Sequence, residues 1–134
     1  MIINISTLIE LADECKLIDK EMNTTMSDDM NEAVERGNSL IVYMARTGKM
    51  LADAKYHLNA KKKTQAVEII EKLTSAKYSA KIQNALIDSV AKEEQFIVDW
   101  IDRLNRTATH QLDWCRTLIS KGKEEMRLTG MNSH

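Results

Sequence analysis

A chain of 134 residues with no proline and only four glycines, Gly37, Gly48, Gly122 and Gly130, has little means of turning. An all-β fold needs turn residues every ten or so positions, and this chain lacks them. Its common residues are Lys, Glu, Ala, Leu, Ile, Met, Asp and Thr, most of which are good helix formers. The sequence therefore reads as all-α. The expected architecture is a long antiparallel helical hairpin or bundle with shorter N-terminal and connecting helices, oligomeric, in one domain over 1–134.

Periodicity and capping divide the chain into helices at 7–24, 27–60, 64–74 and 80–128, with 129–134 as a frayed tail. Thr7 and Glu10 form a capping-box pair, in which hydroxyl and carboxylate each take an orphan backbone N–H. Leu8, Leu11, Ala12, Cys15, Ile18 and Met22 then share one face. Ser27, Asp28 and Asp29 suit the start of the second helix, where acids offset the positive end of the dipole. Its expected seam is Met30, Val34, Gly37, Ile41, Met44, Gly48, Leu51, Lys55 and Leu58, alternating steps of four and three. Glycine within a helix costs about 1 kcal/mol against alanine, so the two seam glycines, Gly37 and Gly48, are expected to meet a partner backbone. The segment "NAKKK" (59–63) reads as a corner, and "TSAKYS" (74–79) as a second, with Ser79 capping the next helix.

The last helix carries the stripe Ile82, Leu86, Val90, Ile97, Ile101, Leu104, Ala108, Leu112, Cys115 and Ile119, interrupted by "KEEQ" (92–95). Glu93 and Glu94 read as a solvated turn. A continuous helix here would span about 75 Å. Such a ridge is too long for the rest of a small monomer to shield, so a bend near 91–95 and association of copies are both expected.

Composition narrows the function. The net charge is −1, so bulk electrostatics recruits neither nucleic acid nor a membrane. Nucleic acid is disfavoured further by the scarcity of aromatic stacking platforms. No window approaches the roughly 18 apolar residues of a membrane span, and "MIINISTLIE" lacks the basic start and apolar run of a signal peptide. Cys15 and Cys115 lie far apart on apolar faces, as reduced core thiols of a cytoplasmic protein would. No phosphate loop, zinc motif or nucleophile elbow is present. The expectation is therefore a non-enzyme with no cofactor, no metal and no catalytic residue. A small enzyme centred on His110 and Asp113 is the outlying alternative.

One stretch could bind. In "RLNRTATHQLDW" (103–114), Arg103, Arg106, His110 and Trp114 fall along one flank of the apolar stripe. If residue 60 lies opposite 92 across an antiparallel pair, Arg46 comes level with Arg106, Lys49 with Arg103, and Tyr43 with His110. Like charges brought together need an anion or acids from elsewhere, and residues 10–35 are rich in acids. The candidate ligand residues are thus Tyr43, Arg46, Lys49, Arg103, Arg106, His110 and Trp114. Trp and Arg suit a protein interface as well as a nucleotide, where one stacks and the other forks onto phosphate. The bland alternative is a bundle flank whose arginines pair with Asp99, Asp102 and Asp113.

The blocks "YMARTGKMLADAKYHLN" (43–59) and "ALIDSVAKEEQFIVDWIDRLNRTATHQLDWCRTLISKGKEEMR" (85–127) resemble small helical proteins of unknown function carried by phages and prophages. The resemblance covers roughly the last two thirds of the chain and carries over no functional residue. It implies an accessory protein of a mobile element, acting in the host cytoplasm on a host or phage protein. Proteins of that class include sponges that sequester the cyclic-nucleotide signals of bacterial defence.

Overall fold

The computed structural model describes residues 4–73 and 79–132. Four helices account for most of them: α1 (Leu8–Met22), α2 (Met30–Leu73), α3 (Ala80–Val90) and α4 (Lys92–Asn132). Among the described residues no helix is long and apolar enough to cross a membrane.

The caps follow from local chemistry. Thr7 Oγ1 accepts the Glu10 N–H and the Glu10 carboxylate accepts the Thr7 N–H, completing the expected box. α2 starts three residues later than Ser27. The Asp29 carboxylate accepts the Glu32 N–H and the Asp29 carbonyl accepts from Ala33, so Asp29 takes the capping position. Ser27 instead accepts the Asp29 N–H and shapes the approach. Ser79 caps α3 through the Ile82 N–H, as expected; the rest of the 74–79 corner, residues 74–78, lies outside the described residues.

Two boundaries differ from the sequence reading. There is no corner at 59–63, because α2 runs unbroken from Met30 to Leu73. Asn59 and three lysines are polar, but none of them removes a backbone donor, and lysine favours helix. The expected tail is also wrong over 129–132, which α4 includes. The expected bend is present at Ala91, a buried residue with φ −107° and ψ 25° between α3 and α4.

α2 and α4 form the largest interface and α1 packs across both. Leu11, Cys15, Ile18 and Met22 of α1 meet Leu40, Met50, Ala54 and Leu58 of α2 and the ridge Ile97, Ile101, Leu104, Ala108, Leu112 and Cys115 of α4 in one core. Burying each large aliphatic side chain contributes about 1.5–3 kcal/mol. Polar ties fix the alignment. Asn105 Nδ2 donates to Thr47 Oγ1 at 2.9 Å and to the Met44 carbonyl at 3.2 Å. Arg36 bonds Gln111, and both donate to the carbonyl of Met22 at the end of α1, a group the helix itself leaves unsatisfied. Met30 lies against Gly122, Gly37 against Cys115, and Lys62 pairs with Asp88.

The α2 seam is rotated from expectation. Ala33, Gly37, Leu40, Thr47, Met50, Ala54 and Leu58 are buried, while Val34, Ile41, Gly48 and Lys55 are exposed. α2 must face α1 as well as α4, which moves its buried arc toward both. Gly48 consequently meets nothing: a Cβ there would have no neighbour within 4 Å. The glycine that sits in close approach is Gly122. Glu94 also departs from the solvated-turn reading, being buried with its Oε2 lacking a hydrogen-bond partner, whereas Glu93 is exposed. Of the long C-terminal ridge, Ile97 to Cys115 is covered within the chain, but Ile82, Leu86 and Val90 of α3 remain exposed.

Candidate functional site

The candidate residues divide between two regions. Arg46, on α2, reaches α1. Its Nε donates to Glu14 Oε2 at 2.7 Å and its Nη2 to Glu14 Oε1, a two-pronged pair in which neither side chain is more than about two-fifths exposed. That bond holds the Arg46 guanidinium above its ordinary pKa, against the opposing effect of burial. Lys49 pairs with Asp53 and donates to the Asn4 carbonyl. Asp53 in turn accepts the Ser6 N–H, and His57 Nε2 lies 2.7 Å from the Ser6 carbonyl. Arg46 and Lys49 are thus spent on acids and a carbonyl of their own chain, Glu14 from the acid-rich N-terminal third among them. Tyr43 is half-buried against the core, its carbonyl accepting the Thr47 hydroxyl.

Arg103, Arg106 and His110 lie elsewhere, in an open groove of about 830 Å³ lined also by Asp19, Phe96, Asp99, Trp100, Asp102 and Thr107. The basic stretch of α2 and this flank of α4 therefore do not converge on one anion. Arg106 pairs with Asp102 at 3.0 Å, and Gln95 donates to Asp99. Three carboxylates face two guanidinium groups, so the groove carries no excess of positive charge. Trp114 is half exposed and outside this lining. The tryptophan that lines the groove with Arg103 is Trp100, whose ring meets that of Phe96 at an angle of 58° with centroids 5.8 Å apart.

Phe96 and Trp100 were visible in principle. The series 96, 100, 103, 107, 110 continues upstream the same three-and-four spacing that groups Arg103 with His110. Asp19 comes from α1, and no periodicity within α4 could have signalled it. Asp113 pairs with Arg116 at 3.3 Å and does not line the groove that holds His110. Among the described residues no group of three or more His, Cys, Asp or Glu side chains is arranged to hold a metal ion.

A different surface is more distinctive than the groove. On α2, Val34, Ile41, Val42, Tyr56, Val67 and Ile70 are all large and all more than two-fifths exposed. They lie on the side of the helix turned away from α1 and α4. No family model matches this chain, and no curated protein or solved structure matches it either.

Proposed function

We propose that this chain is a non-catalytic helical binding protein that works by protein–protein contact as a homo-oligomer. The observation that carries this reading is the apolar outer face of α2. Solvent-facing sides of monomer helices are ordinarily polar, and contiguous exposed apolar patches mark interaction surfaces. Ile82, Leu86 and Val90 of α3 are large apolar residues left exposed as well. In this reading α2 and α4 form an antiparallel hairpin. Support comes from the contact pairs Met30–Gly122, Gly37–Cys115 and Thr47–Asn105, in which numbers rise along one helix as they fall along the other. The resemblance of its sequence to phage and prophage proteins supports the further reading that it is an accessory factor of a mobile element, acting in the cytoplasm of a bacterial host.

Sedimentation equilibrium from low to high micromolar concentration tests this reading. The expected result is a mass above that of one chain, together with a melting temperature that rises with protein concentration. A single-chain mass throughout overturns the oligomer.

A second reading, a sponge for an anionic or cyclic nucleotide, has one observation in its favour: Arg103 and His110 share a groove with the Phe96–Trp100 pair. Asp19, Asp99 and Asp102 on the same walls oppose it. A nucleotide panel in a thermal-shift assay separates the two. No shift is expected; a saturable shift abolished by Arg103→Ala would favour the sponge.

A further inference from the structure

From the outer face of α2 we infer a specific partner: a second copy of the same helix, packed antiparallel about a two-fold axis at Ala52. This deepens the oligomer reading above and rests on it.

Successive residues of an α-helix turn by about 100°. On that wheel Val34, Ile41, Gly48, Ala52, Tyr56 and Ile70 fall within one arc, which also holds Asn38, Ala45, Asn59 and Lys63; all are exposed, and only Ala66 at its edge is half-buried. Every acid of α2, namely Glu32, Glu35, Asp53, Glu68 and Glu71, falls outside that arc. With no carboxylate and Lys63 as its one charge, this side of the helix suits a seam against a partner helix in which isolated polar positions are tolerated.

Three features select the occupant. The first is length. The arc from Val34 to Ile70 rises about 54 Å, and a face about 12 Å wide offers roughly 650 Å² per copy, close to the roughly 800 Å² per partner of a stable interface. Its midpoint is residue 52, so only a two-fold axis there covers the whole arc; a displaced axis leaves an end bare.

The second is size. A two-fold axis at Ala52 sets Tyr56, the bulkiest residue of the arc, level with Gly48 of the other copy, four residues to either side of the centre. Gly48 has open space around it, and Ala45 and Ala52 flank it, so the helices can approach closely and the phenol ring gains a hole to fill. This accounts for a mid-helix glycine that no contact within the chain requires.

The third is charge. A parallel pairing would place Lys63, at the centre of the arc, against itself. The antiparallel pairing sets Lys63 level with Ile41 instead. Lys49 and Lys55 then share a level but occupy opposite flanks of the seam, so they do not face each other. Residue i of one copy meets j of the other and j meets i, the self-complementary pattern of a two-fold interface.

Ala52 is exposed and is not part of the core, so it can be changed without unfolding the chain. In the Ala52→Glu variant the two-fold axis brings two carboxylates together. Association should weaken at least tenfold by sedimentation equilibrium, with the far-UV circular dichroism unchanged. In a second experiment, Ala52→Cys is treated with diamide, a thiol oxidant that takes up the two electrons and two protons released as the disulfide forms. It should link to itself, because facing Cα atoms at the axis fall within disulfide reach. Leu17→Cys, on the exposed side of α1, should not, and Cys15 and Cys115 are buried. An oligomer that persists in Ala52→Glu and does not link through Ala52→Cys overturns this interface while leaving self-association standing. A wild-type chain that is monomeric throughout overturns both.

Discussion

Gly122 is pressed against Met30: a Cβ at residue 122 would stand 2.8 Å from the methionine sulfur and 2.9 Å from its Cβ. The sulfur could swing away, but Met30 Cβ is fixed to the first residue of α2. Gly122→Ala therefore gains helix propensity worth about 1 kcal/mol and meets overpacking that costs about 1–3 kcal/mol. A net loss of about 1 kcal/mol is expected. Gly37 is the contrast. A Cβ there would find Leu112 and Cys115 at 3.6 and 3.8 Å, ordinary contact, so Gly37→Ala should stabilise by up to about 1 kcal/mol. Urea midpoints of the two variants should move in opposite directions from wild type; shifts in the same direction would contradict this packing.

Asp53 makes stability depend on pH. Its burial pushes the carboxyl pKa up, but the bonds from Lys49 and the Ser6 N–H, with the charges of Lys49 and Arg46, outweigh that and hold it below the ordinary carboxylate range. A carboxyl depressed in the folded state stabilises above its unfolded pKa of about 3.9, and that contribution is lost as pH falls through the folded value. Asp53→Asn should cost about 1–2 kcal/mol at neutral pH, and the gap from wild type should close as the pH is taken from 4 downward. Urea unfolding at pH 7, 4 and 3 measures it. A gap that stays constant would show that the charge of Asp53 is not what matters.

Thr47 and Asn105 join α2 to α4 inside the core. Thr47 is fully buried, and its hydroxyl donates to the Tyr43 carbonyl while accepting from Asn105. Thr47→Val keeps the shape and removes the acceptor, leaving the Asn105 amide with the Met44 carbonyl alone. The expected cost is about 1–2 kcal/mol. Replacing both, Thr47→Val with Asn105→Leu, should cost less than the sum of the single changes, since no orphaned polar group remains. Additive losses in that double-mutant cycle would mean the two side chains act independently.

Much of the architecture was legible in local chemistry. The Thr7–Glu10 box, the α1 face from Leu11 to Met22 and the α4 ridge from Ile97 to Cys115 follow from spacing alone, because each helix turns one dominant apolar face inward. α2 defeated the same approach. It has two apolar faces, and the buried one contains Ala33, Gly37 and Thr47, whereas the outer one displays Val34 and Ile41. A pattern search chooses an arc richer in large side chains and cannot know that α1 will cover another. At 59–63 polarity alone resembles a turn, yet none of these residues interrupts the helix. The groove was half legible: Arg103, Arg106 and His110 do share it, but the carboxylate of Asp19 arrives from another helix, and Arg46 and Lys49 of α2 have partners in Glu14, Asp53 and the Asn4 carbonyl.

The two thiols should be inert in the native chain. Burial, with the acids Glu14 and Asp19 nearby, raises the Cys15 pKa to about 11, and burial raises that of Cys115 against the opposing charge of Arg36. At pH 8 the Cys15 thiolate fraction is then of order one in a thousand. Iodoacetamide should leave both unmodified by intact-mass measurement and alkylate both in denaturing urea. Rapid labelling of Cys15 without denaturant would place it outside the core.

The continuity of α2 through 59–63 gives the sharpest test of the fold. At Ala60, exposed and mid-helix, a proline removes the N–H that bonds back one turn and sets its ring against the carbonyl of Tyr56. In an unbroken helix this costs about 3 kcal/mol or more, whereas at a corner it would cost little. Glycine at the same site keeps the donor and should cost only about 1 kcal/mol. Ala60→Pro should therefore lose helical ellipticity at 222 nm and melt well below Ala60→Gly, because the break uncouples the segment carrying Val67, Ile70 and the Lys62–Asp88 pair from the core. If both variants melt with wild type, the chain turns at 59–63 after all.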